Sequence, residues 1–231
     1  MELKNLKLRR NKINSFYPDE GLLRRELYPK HLEFFEAGAK YRERLFMAAN
    51  RIGKTEGAGG YETTLHLTGE YPAWWCGRKF YAPITAWAAG KTNETTRDIV
   101  QAKLFGKVAY DDGSKIVDGT GLIPFNAIGK LTWKQGVPDM IDTAQIRHID
   151  GGYSVLGLKS YQQGRGVFEG TEQHVIWLDE EPSIDIYGEC LIRTATTDGI
   201  VYTTFTPLEG VTEVVMSFLP NGIPKEENAS S

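Results

Sequence analysis

Short hydrophobic runs alternate with longer amphipathic stretches along this chain. Apolar runs at 45–49, 175–178 and 200–205 indicate buried strands. Apolar residues at helical spacing predict helices at 31–43 and 184–195. Further helices are predicted at 21–27, 55–67 and 91–105, and a further strand, ended by a proline, at 79–83. This alternation predicts an α/β fold with a mainly parallel sheet flanked by helices.

Three parts of the chain do not follow this alternation of strands and helices. Residues 106–143 are rich in Gly, Pro and Asp, and we expect an excursion with small strands at the edge of the sheet, reaching about residue 150. Next to it, 145–149 and 153–158 predict a hairpin. We expect 1–26 to form an N-terminal arm with a short helix, 27–220 to form the main domain, and 221–231 to form a disordered tail.

Composition narrows the class of protein. The 231 residues carry a net charge of −3, and 41% of them are hydrophobic, which suits a sizeable core. No apolar run approaches the roughly 20 residues of a membrane helix, and we see no secretory signal. Two distant cysteines give no disulfide framework. The basic residues at the beginning of the chain are expected to form a solvated tail rather than a nucleic-acid-binding arm; they are Lys4, Lys7, Arg9, Arg10 and Lys12.

Residues 48–55, Ala-Ala-Asn-Arg-Ile-Gly-Lys-Thr, are close to the phosphate-binding pattern G-x-x-x-x-G-K-[ST], with Ala48 at the first glycine position. A loop that wraps onto a helix N-terminus offers backbone N–H groups to phosphates. Gly53 would allow close approach, Lys54 would neutralise the β and γ oxygens, and Thr55 would offer its hydroxyl to Mg²⁺. The alternative is a chance Gly-Lys-Thr in a surface loop.

A second motif lies at 174–182, where a predicted strand delivers Asp179 and Glu180 at its C-terminal end. In phosphate-loop NTPases a carboxylate at this place holds Mg²⁺, and a neighbouring one can polarise the attacking water. An acidic solvated turn would look the same, but the two motifs in one chain favour the nucleotide site. The next strand ends in Thr-Thr-Phe-Thr-Pro at 203–207, where hydroxyls could sense a γ-phosphate. Taken alone, those threonines are explained by their β-propensity.

In this order the motifs resemble the ATPase domain of the large terminase subunit, the DNA-packaging motor of tailed bacteriophages. The matching stretches are 48–55, 175–181 and 203–207, with flanking similarity at 28–35, 71–75 and 159–165. The resemblance covers most of residues 27–210 and implies a P-loop NTPase fold of the RecA/ASCE type. A large subunit of that family continues into a nuclease domain, which we expect to be absent here, so we expect no DNA cleavage.

The resemblance also implies roles for individual residues. Arg51 matches the arginine that the family places in its phosphate loop, where it would stabilise charge on the transferred phosphoryl group together with Lys54. Thr55 and Asp179 would hold Mg²⁺, and Glu180 would be the catalytic base. The expected nucleotide contacts are Ala49, Asn50, Arg51, Ile52, Gly53, Lys54, Thr55, Glu56, Tyr28, Pro29 and His31, and the expected coupling residues are Thr204 and Thr206.

The chain departs from the family pattern on the adenine side of the site. The family usually carries a glutamine after the proline, whereas this sequence reads Pro29-Lys30-His31, so a histidine would have to make that contact. A second arginine would come from a neighbouring subunit, with Arg97 and Arg78 as candidates. Arg165 would instead be structural.

The resemblance implies Mg²⁺-dependent ATP hydrolysis that drives double-stranded DNA into a procapsid in the host cytoplasm. The implied partners are the DNA, the portal protein, the small terminase subunit and further copies of the chain in a ring on the capsid, with no membrane. Two alternatives stay open. A small-molecule kinase shares the phosphate loop but needs no carboxylate pair at a strand end. A nucleotide-gated docking module would bind ATP without turnover.

Overall fold

The computed structural model describes residues 10–48, 53–206 and 212–219. Nine strands lie within these ranges: β1 Glu43–Met47, β2 Thr85–Gly90, β3 Val108–Asp111, β4 Ser114–Val117, β5 Ile128–Trp133, β6 Ile141–Arg147, β7 Tyr153–Ser160, β8 Val175–Asp179 and β9 Ile200–Phe205. Seven of them form one sheet in the order β1-β9-β8-β2-β7-β6-β5, and β3 and β4 form a separate pair. The first five strands of this order are parallel, which confirms the predicted mainly parallel sheet.

The helices lie on both faces of the sheet. They are α1 Pro29–Ala37, α2 Tyr61–Thr68, α3 from its segments Asn93–Thr95, Thr96–Gln101 and Ala102–Phe105, α4 Ile184–Ala195, and α5 Glu213–Ser217. A π-helical segment, Lys54–Gly60, leads directly into α2, so the helix predicted at 55–67 is confirmed. The helices predicted at 91–105 and 184–195 are confirmed as well. Within the described ranges no helix combines the length and the apolar character needed to cross a bilayer.

Two hydrophobic clusters fill the two sides of the sheet. Ala86 and Ala88 of β2 belong to the first cluster, with Leu65 of α2, whereas Trp87 and Ala89 belong to the second. Side chains alternate between the faces along a strand, so β2 contributes to both clusters. The central strands β8 and β9 are buried at every position. Burial on both faces explains why these strands read as continuous apolar runs in the sequence.

Three element boundaries differ from the sequence expectations. The strand predicted at 79–83 is wrong: β2 begins only at Thr85, because the ring nitrogen of Pro83 cannot donate to a strand ladder. The helix predicted at 21–27 is reduced to a 3₁₀ turn, Arg25–Leu27. The helix predicted at 31–43 begins at Pro29 and ends at Ala37, since β1 already begins at Glu43.

The less regular middle of the chain forms the far edge of the fold. The β3–β4 pair lies apart from the main sheet, while β5 is its last strand. The predicted hairpin is confirmed, because β6 and β7 pair antiparallel with Arg147 opposite Tyr153. The described part of the predicted N-terminal arm packs on the domain: Ile13 and Tyr17 are buried in the first hydrophobic cluster.

Candidate active site

The carboxyl ends of the parallel strands β1, β8 and β9 meet at one edge of the sheet. Gly53, just before the π-helical segment, has a φ of 82°, the left-handed region that favours glycine. Its carbonyl accepts from the N–H of Gly57 (2.6 Å) and of Ala58 (3.2 Å), so the helix is wound from this residue onward. A helix N-terminus therefore faces the edge where the strands end, an arrangement suited to anions.

Lys54 is the first residue of that π-helical segment, and it is only 7% exposed. Its ammonium group contacts the hydroxyl of Thr206, the residue after β9. The loop lysine and the predicted coupling segment are thus in direct contact.

Asp179, the last residue of β8, is held by two hydroxyl groups. Thr55 donates to its Oδ1 at 3.0 Å and Thr204 donates to the same oxygen at 2.8 Å. The Thr204 hydroxyl in turn accepts from the indole N–H of Trp177 at 2.8 Å. Burial raises the pKa of Asp179 to about 6, although the hydrogen bonds from Thr204 and Thr55 act in the opposite direction. The carboxylate is therefore still mostly ionised at neutral pH and is fixed by its neighbours.

Glu180 follows with an unusual backbone conformation. Its φ is 65°, which costs a residue with a Cβ about 1 kcal/mol or more. Two hydrogen bonds hold it there: its N–H donates to the carbonyl of Thr204 (2.9 Å), and its carbonyl accepts from the hydroxyl of Tyr161 (2.9 Å). The Tyr161 hydroxyl is shared with the carbonyl of Asp179 at 3.0 Å. The two acidic residues are consequently locked at the strand end.

A cavity of about 610 Å³ lies beside Gly53, on the side of α1. Its lining includes the predicted nucleotide contacts Tyr28, Pro29, His31, Gly53 and Glu56. The cavity therefore adjoins the beginning of the π-helical segment and is large enough for part of a nucleotide.

A hydrogen-bonded tyrosine sets the state of the cavity's histidine. The hydroxyl of Tyr17 donates to the carbonyl of Gly57 at 2.6 Å and contacts Nδ1 of His31 at 2.6 Å. Because a carbonyl can only accept, the single hydroxyl proton lies toward Gly57. His31 then carries a proton on Nδ1 and donates it to the tyrosine oxygen.

Glu56 also lines this cavity, but two lysines hold its carboxylate. Lys12 contacts one carboxylate oxygen, and Lys103 donates to the other at 2.8 Å. Burial alone would raise the pKa of Glu56, yet the hydrogen bonds from Lys103 and Lys12 outweigh it and lower that pKa. Lys12, expected in a solvated tail, is therefore part of the packed domain.

The structure thus brings together most of the residues that the sequence predicted for the site. The loop residues Ala49, Asn50, Arg51 and Ile52 lie outside the described residues, so their predicted contacts stay predictions. The candidate arginines each have an acidic neighbour: Arg97 bonds Asp98, Arg78 bonds Asp198, and Arg165 bonds Glu189.

The geometry around Thr55 and Asp179 suits a magnesium ion. Hydroxyl and carboxylate oxygens are its preferred ligands, and here they lie 3.0 Å apart. Among the described residues there is no group of three or more His, Cys, Asp or Glu side chains arranged as metal ligands.

Three aromatic residues of the site, Tyr17, Tyr161 and Trp177, were not predicted to have a role. Tyr161 and Trp177 lie inside the family-like stretches 159–165 and 175–181, but a single polar atom on an aromatic ring leaves no sequence pattern. Their hydrogen bonds became visible only in three dimensions.

Comparison with known proteins decides the family. Residues 45–230 match the family model described as "Terminase large subunit, T4likevirus-type, N-terminal". The chain belongs to the terminase large subunit family. The matched region begins in β1, at the strand that leads into the phosphate loop.

The terminase chain also matches curated and solved relatives. It is 38% identical over 213 residues to the large subunit of the terminase of Salmonella phage P22; the match takes in 84% of this chain and 41% of that protein. The chain thus spans about two fifths of the length of this relative.

Two solved structures share the fold. Both are of the large terminase from a thermophilic bacteriophage, one of them in complex with ADP. They superpose with TM-scores of 0.51 and 0.50 at 11% and 13% identity, over 77% of this chain and 37% of theirs. This likeness confirms the predicted fold, a mostly parallel sheet of the P-loop type flanked by helices.

Proposed function

We propose that this terminase domain hydrolyses ATP with Mg²⁺ and thereby drives double-stranded DNA into a viral procapsid. The observation that carries the proposal is the meeting of Lys54, Thr55 and Asp179 at the carboxyl ends of β1, β8 and β9, with Thr55 donating to Asp179 at 3.0 Å. A strand-borne carboxylate beside a Gly-Lys-Thr helix start is the arrangement that phosphoryl transfer by P-loop enzymes requires.

In this proposal each residue acts on a different part of the triphosphate. Lys54 leaves Thr206 and neutralises the β and γ oxygens. Thr55 and Asp179 would hold Mg²⁺, which would supply positive charge to offset that of the phosphates. Glu180 orients the attacking water and accepts its proton. Arg51 stabilises charge on the transferred phosphoryl group, a role worth roughly 10³-fold or more in rate.

The cavity beside Gly53 receives the base and ribose in this proposal. Tyr28, Pro29 and His31 form its wall, and Glu56, held by its two lysines, stays at its rim. The remaining predicted contacts, Ala49, Asn50 and Ile52, would supply backbone amides to the phosphates.

Thr206 and Thr204 would link hydrolysis to movement in different ways. The contact between Thr206 and Lys54 must change when the lysine engages phosphate, so Thr206 reports the nucleotide directly. Thr204 bonds Asp179, and would report whatever happens at that carboxylate.

Family membership supports the wider setting. The relative from the thermophilic bacteriophage binds ADP in one of its structures. As in the family, we propose that the domain works in a ring of identical chains in the host cytoplasm, with double-stranded DNA, the portal protein and the small terminase subunit as partners. Residues 27–220 would form the motor domain.

The test replaces either Glu180 or its neighbour Glu181, one at a time. Glu180→Gln removes the proposed base but keeps its size, so we expect nucleotide affinity to be retained and phosphate release to fall at least 10²-fold. Glu181→Gln is the matched control, because this neighbouring carboxylate contacts Thr212 and has no role in the proposal. Binding is measured by calorimetry with a non-hydrolysable ATP analogue, and turnover by phosphate release, each with Mg²⁺.

Four outcomes would contradict the assignment. Near-normal turnover in Glu180→Gln would remove its role as base, and loss of turnover only in Glu181→Gln would move that role by one residue. ATP binding without any turnover by the wild type assembled into its ring would favour the docking module. Phosphate transfer to a small acceptor instead of water would favour a kinase.

A further inference from the structure

A second cavity, of about 430 Å³, lies on the face of the sheet that carries Trp87. We call it the lysine groove and define it by Trp87, Lys134, Asp142, Lys159 and Gln163, which are among its lining residues. None of its lining residues belongs to the candidate active site.

Two lysines that line this groove make their hydrogen bonds to neutral oxygens and share the nearby carboxylate of Asp142. Lys159 donates to the carbonyl of Val167 at 2.6 Å, and its Nζ lies 4.5 Å from the ring centroid of Trp87. Lys134 donates to the amide oxygen of Gln163 at 2.9 Å. The nearest acidic group, Asp142, is 3.9 Å from Lys134 and half exposed. The single carboxylate of Asp142 therefore offsets the two positive charges only in part.

This arrangement costs free energy in the absence of an anion. Partial burial lowers the pKa of Lys134 and of Lys159, the charge of Lys134 lowers the pKa of Lys159 further, and Asp142 offsets part of both shifts. Two like charges that share a partly desolvated cavity repel one another. An anion bound between them would offset both the desolvation and the repulsion, which is why such a cluster in a cavity indicates a binding site.

A further cation, Arg147, lies at the end of β6. Ala144 and Ile146 of this strand belong to the first hydrophobic cluster, so Thr143, Gln145 and Arg147 lie on the opposite face. Thr143 lines the groove, and Arg147 is exposed about 13 Å farther along the strand. One strand of DNA presents a phosphate about every 3.4 Å along the helix axis, so an extended polyanion can reach both positions.

We propose that the lysine groove binds phosphate groups of the backbone of double-stranded DNA, with Lys134 and Lys159 as the contacting cations. The proposal rests on the proposed function, since it names the surface on which the motor holds its substrate.

The position of the groove connects it to the acidic pair. Lys159 lies near the end of β7, two residues before Tyr161. The hydroxyl of Tyr161 bonds the carbonyls of both Asp179 and Glu180. A phosphate bound to Lys159 would thus contact the segment 159–161, whose Tyr161 bonds the backbone of the proposed catalytic residue Glu180.

The test measures binding of the 231-residue chain to a short fluorescein-labelled DNA duplex by anisotropy over a series of salt concentrations. The plot of log K against log salt has a negative slope, and each lost phosphate contact should reduce the magnitude of that slope by about 0.9. At about 0.1 M salt this corresponds to roughly eightfold weaker binding. We expect this loss for Lys134→Gln and for Lys159→Met, which keeps an apolar stem against Trp87, and retained binding for Lys159→Arg.

The matched control is Lys40→Gln. Lys40 is exposed, just before β1 at the opposite edge of the sheet, so the same charge is removed away from the groove. Circular dichroism and thermal melting show whether each variant folds. If Lys159→Met does not fold, Lys134→Gln and Lys159→Arg still decide the question.

Equal DNA binding by wild type and Lys134→Gln, an equal loss in Lys40→Gln, or no binding of DNA by the wild type would overturn the proposal. Phosphate release without DNA is measured in parallel. Wild-type ATP hydrolysis together with groove-independent DNA binding would reject the groove alone. Groove-dependent DNA binding without hydrolysis by the chain assembled into its ring would reject the proposed function alone.

Discussion

The hydroxyl group of Thr204 links two residues of the candidate active site, Asp179 and Trp177. It is fully buried, donates to Asp179 at 2.8 Å and accepts from Trp177 at 2.8 Å. Both neighbours therefore depend on it: without the hydroxyl, the buried indole N–H has no acceptor and the carboxylate loses a donor. The coupling role that the sequence suggested for Thr204 stays a prediction, and its contacts imply that the role is exerted through Asp179.

Replacing Thr204 by valine tests this. Thr204→Val keeps the shape and removes both hydrogen bonds, and leaving a buried donor unsatisfied costs about 1–3 kcal/mol. We expect that loss in the free energy of urea unfolding, and weaker Mg²⁺-dependent binding of an ATP analogue in calorimetry. Thr204→Ser keeps the hydroxyl and should bind like wild type. If valine bound the analogue as well as serine, the hydroxyl would have no part in holding Asp179.

The sequence indicated which residues form the candidate site, but not their backbone conformations or their hydrogen bonds. Asp179, Lys54 and Thr55 could be predicted because their spacing follows from a strand that ends beside a helix start. The positive φ of Glu180 and its support by Tyr161 could not, because glutamate has no preference for that conformation and the tyrosine precedes it by 19 residues in sequence. Such strain is set by the surrounding structure.

Among the elements, the π-helical segment Lys54–Gly60 packs closely against β8. A Cβ on Gly59 would lie 2.2 Å from Nε1 of Trp177, and one on Gly60 would lie 2.9 Å from Leu122. The glycines that weaken helix propensity are thus the ones that let the helix rest directly on β8. The glycines are evident in the sequence, whereas the ring that fills the space beside them is not.

Glycine-to-alanine substitutions in two helices measure this packing. Gly59→Ala forces Cβ into the indole of Trp177, so overpacking should destabilise the fold by about 1–3 kcal/mol or more. Gly188→Ala is the control, because nothing lies within 4 Å of its added methyl in the middle of α4. There alanine should stabilise by about 0.5–1 kcal/mol. Urea unfolding measures both changes, and a neutral Gly59→Ala would show that Trp177 can move aside.

The element boundaries were less predictable than the elements. The hairpin of β6 and β7 and the helix α4 follow from strong local patterns. The prediction of a strand at 79–83 relied on the local β-propensity of this stretch and was wrong. The strand instead forms from Thr85 to Gly90, because these residues pair with two parallel neighbours, β7 and β8. Pairing with distant strands outweighs local propensity.

At the scale of the whole molecule, a buried ionic network ties α1, β1 and α2 together. Arg44 of β1 donates to both oxygens of Glu62, at 3.0 and 2.6 Å, and to the carbonyl of Phe34 at 2.7 Å. His66 lies 3.1 Å from the same carboxylate and 2.9 Å from the hydroxyl of Tyr71. Its Nε2 donates to the carboxylate, so Nδ1 accepts from Tyr71 and the ring is satisfied in its neutral form.

This network predicts loss of stability in acid. Burial lowers the pKa of His66, partly offset by Glu62, so the unfolded state takes up a proton first as the pH falls below about 6.5. Burial alone would raise the pKa of Glu62, but Arg44 and His66 outweigh it and lower that pKa, so its contribution is lost at still lower pH. Both groups therefore stabilise the fold more at neutral pH than in acid.

Urea unfolding between pH 7.5 and 5.5 measures the effect. The histidine can contribute up to about 1.4 kcal/mol per pH unit. Asp179 acts in the opposite direction, since its pKa is raised to about 6 in the folded state. The contribution of His66 is therefore read from the difference between wild type and His66→Gln. We expect a smaller loss of stability in acid for the variant, whereas equal losses would contradict a neutral, buried His66.

The most direct test of the nucleotide site is a crystal structure with Mg²⁺ and a non-hydrolysable ATP analogue. We expect Lys54 to leave Thr206 for the β and γ oxygens, Mg²⁺ to lie on Thr55 with Asp179 beside it, and the base to occupy the cavity next to His31. A nucleotide bound elsewhere, with Lys54 still on Thr206 and Thr55 still on Asp179, would contradict this expectation.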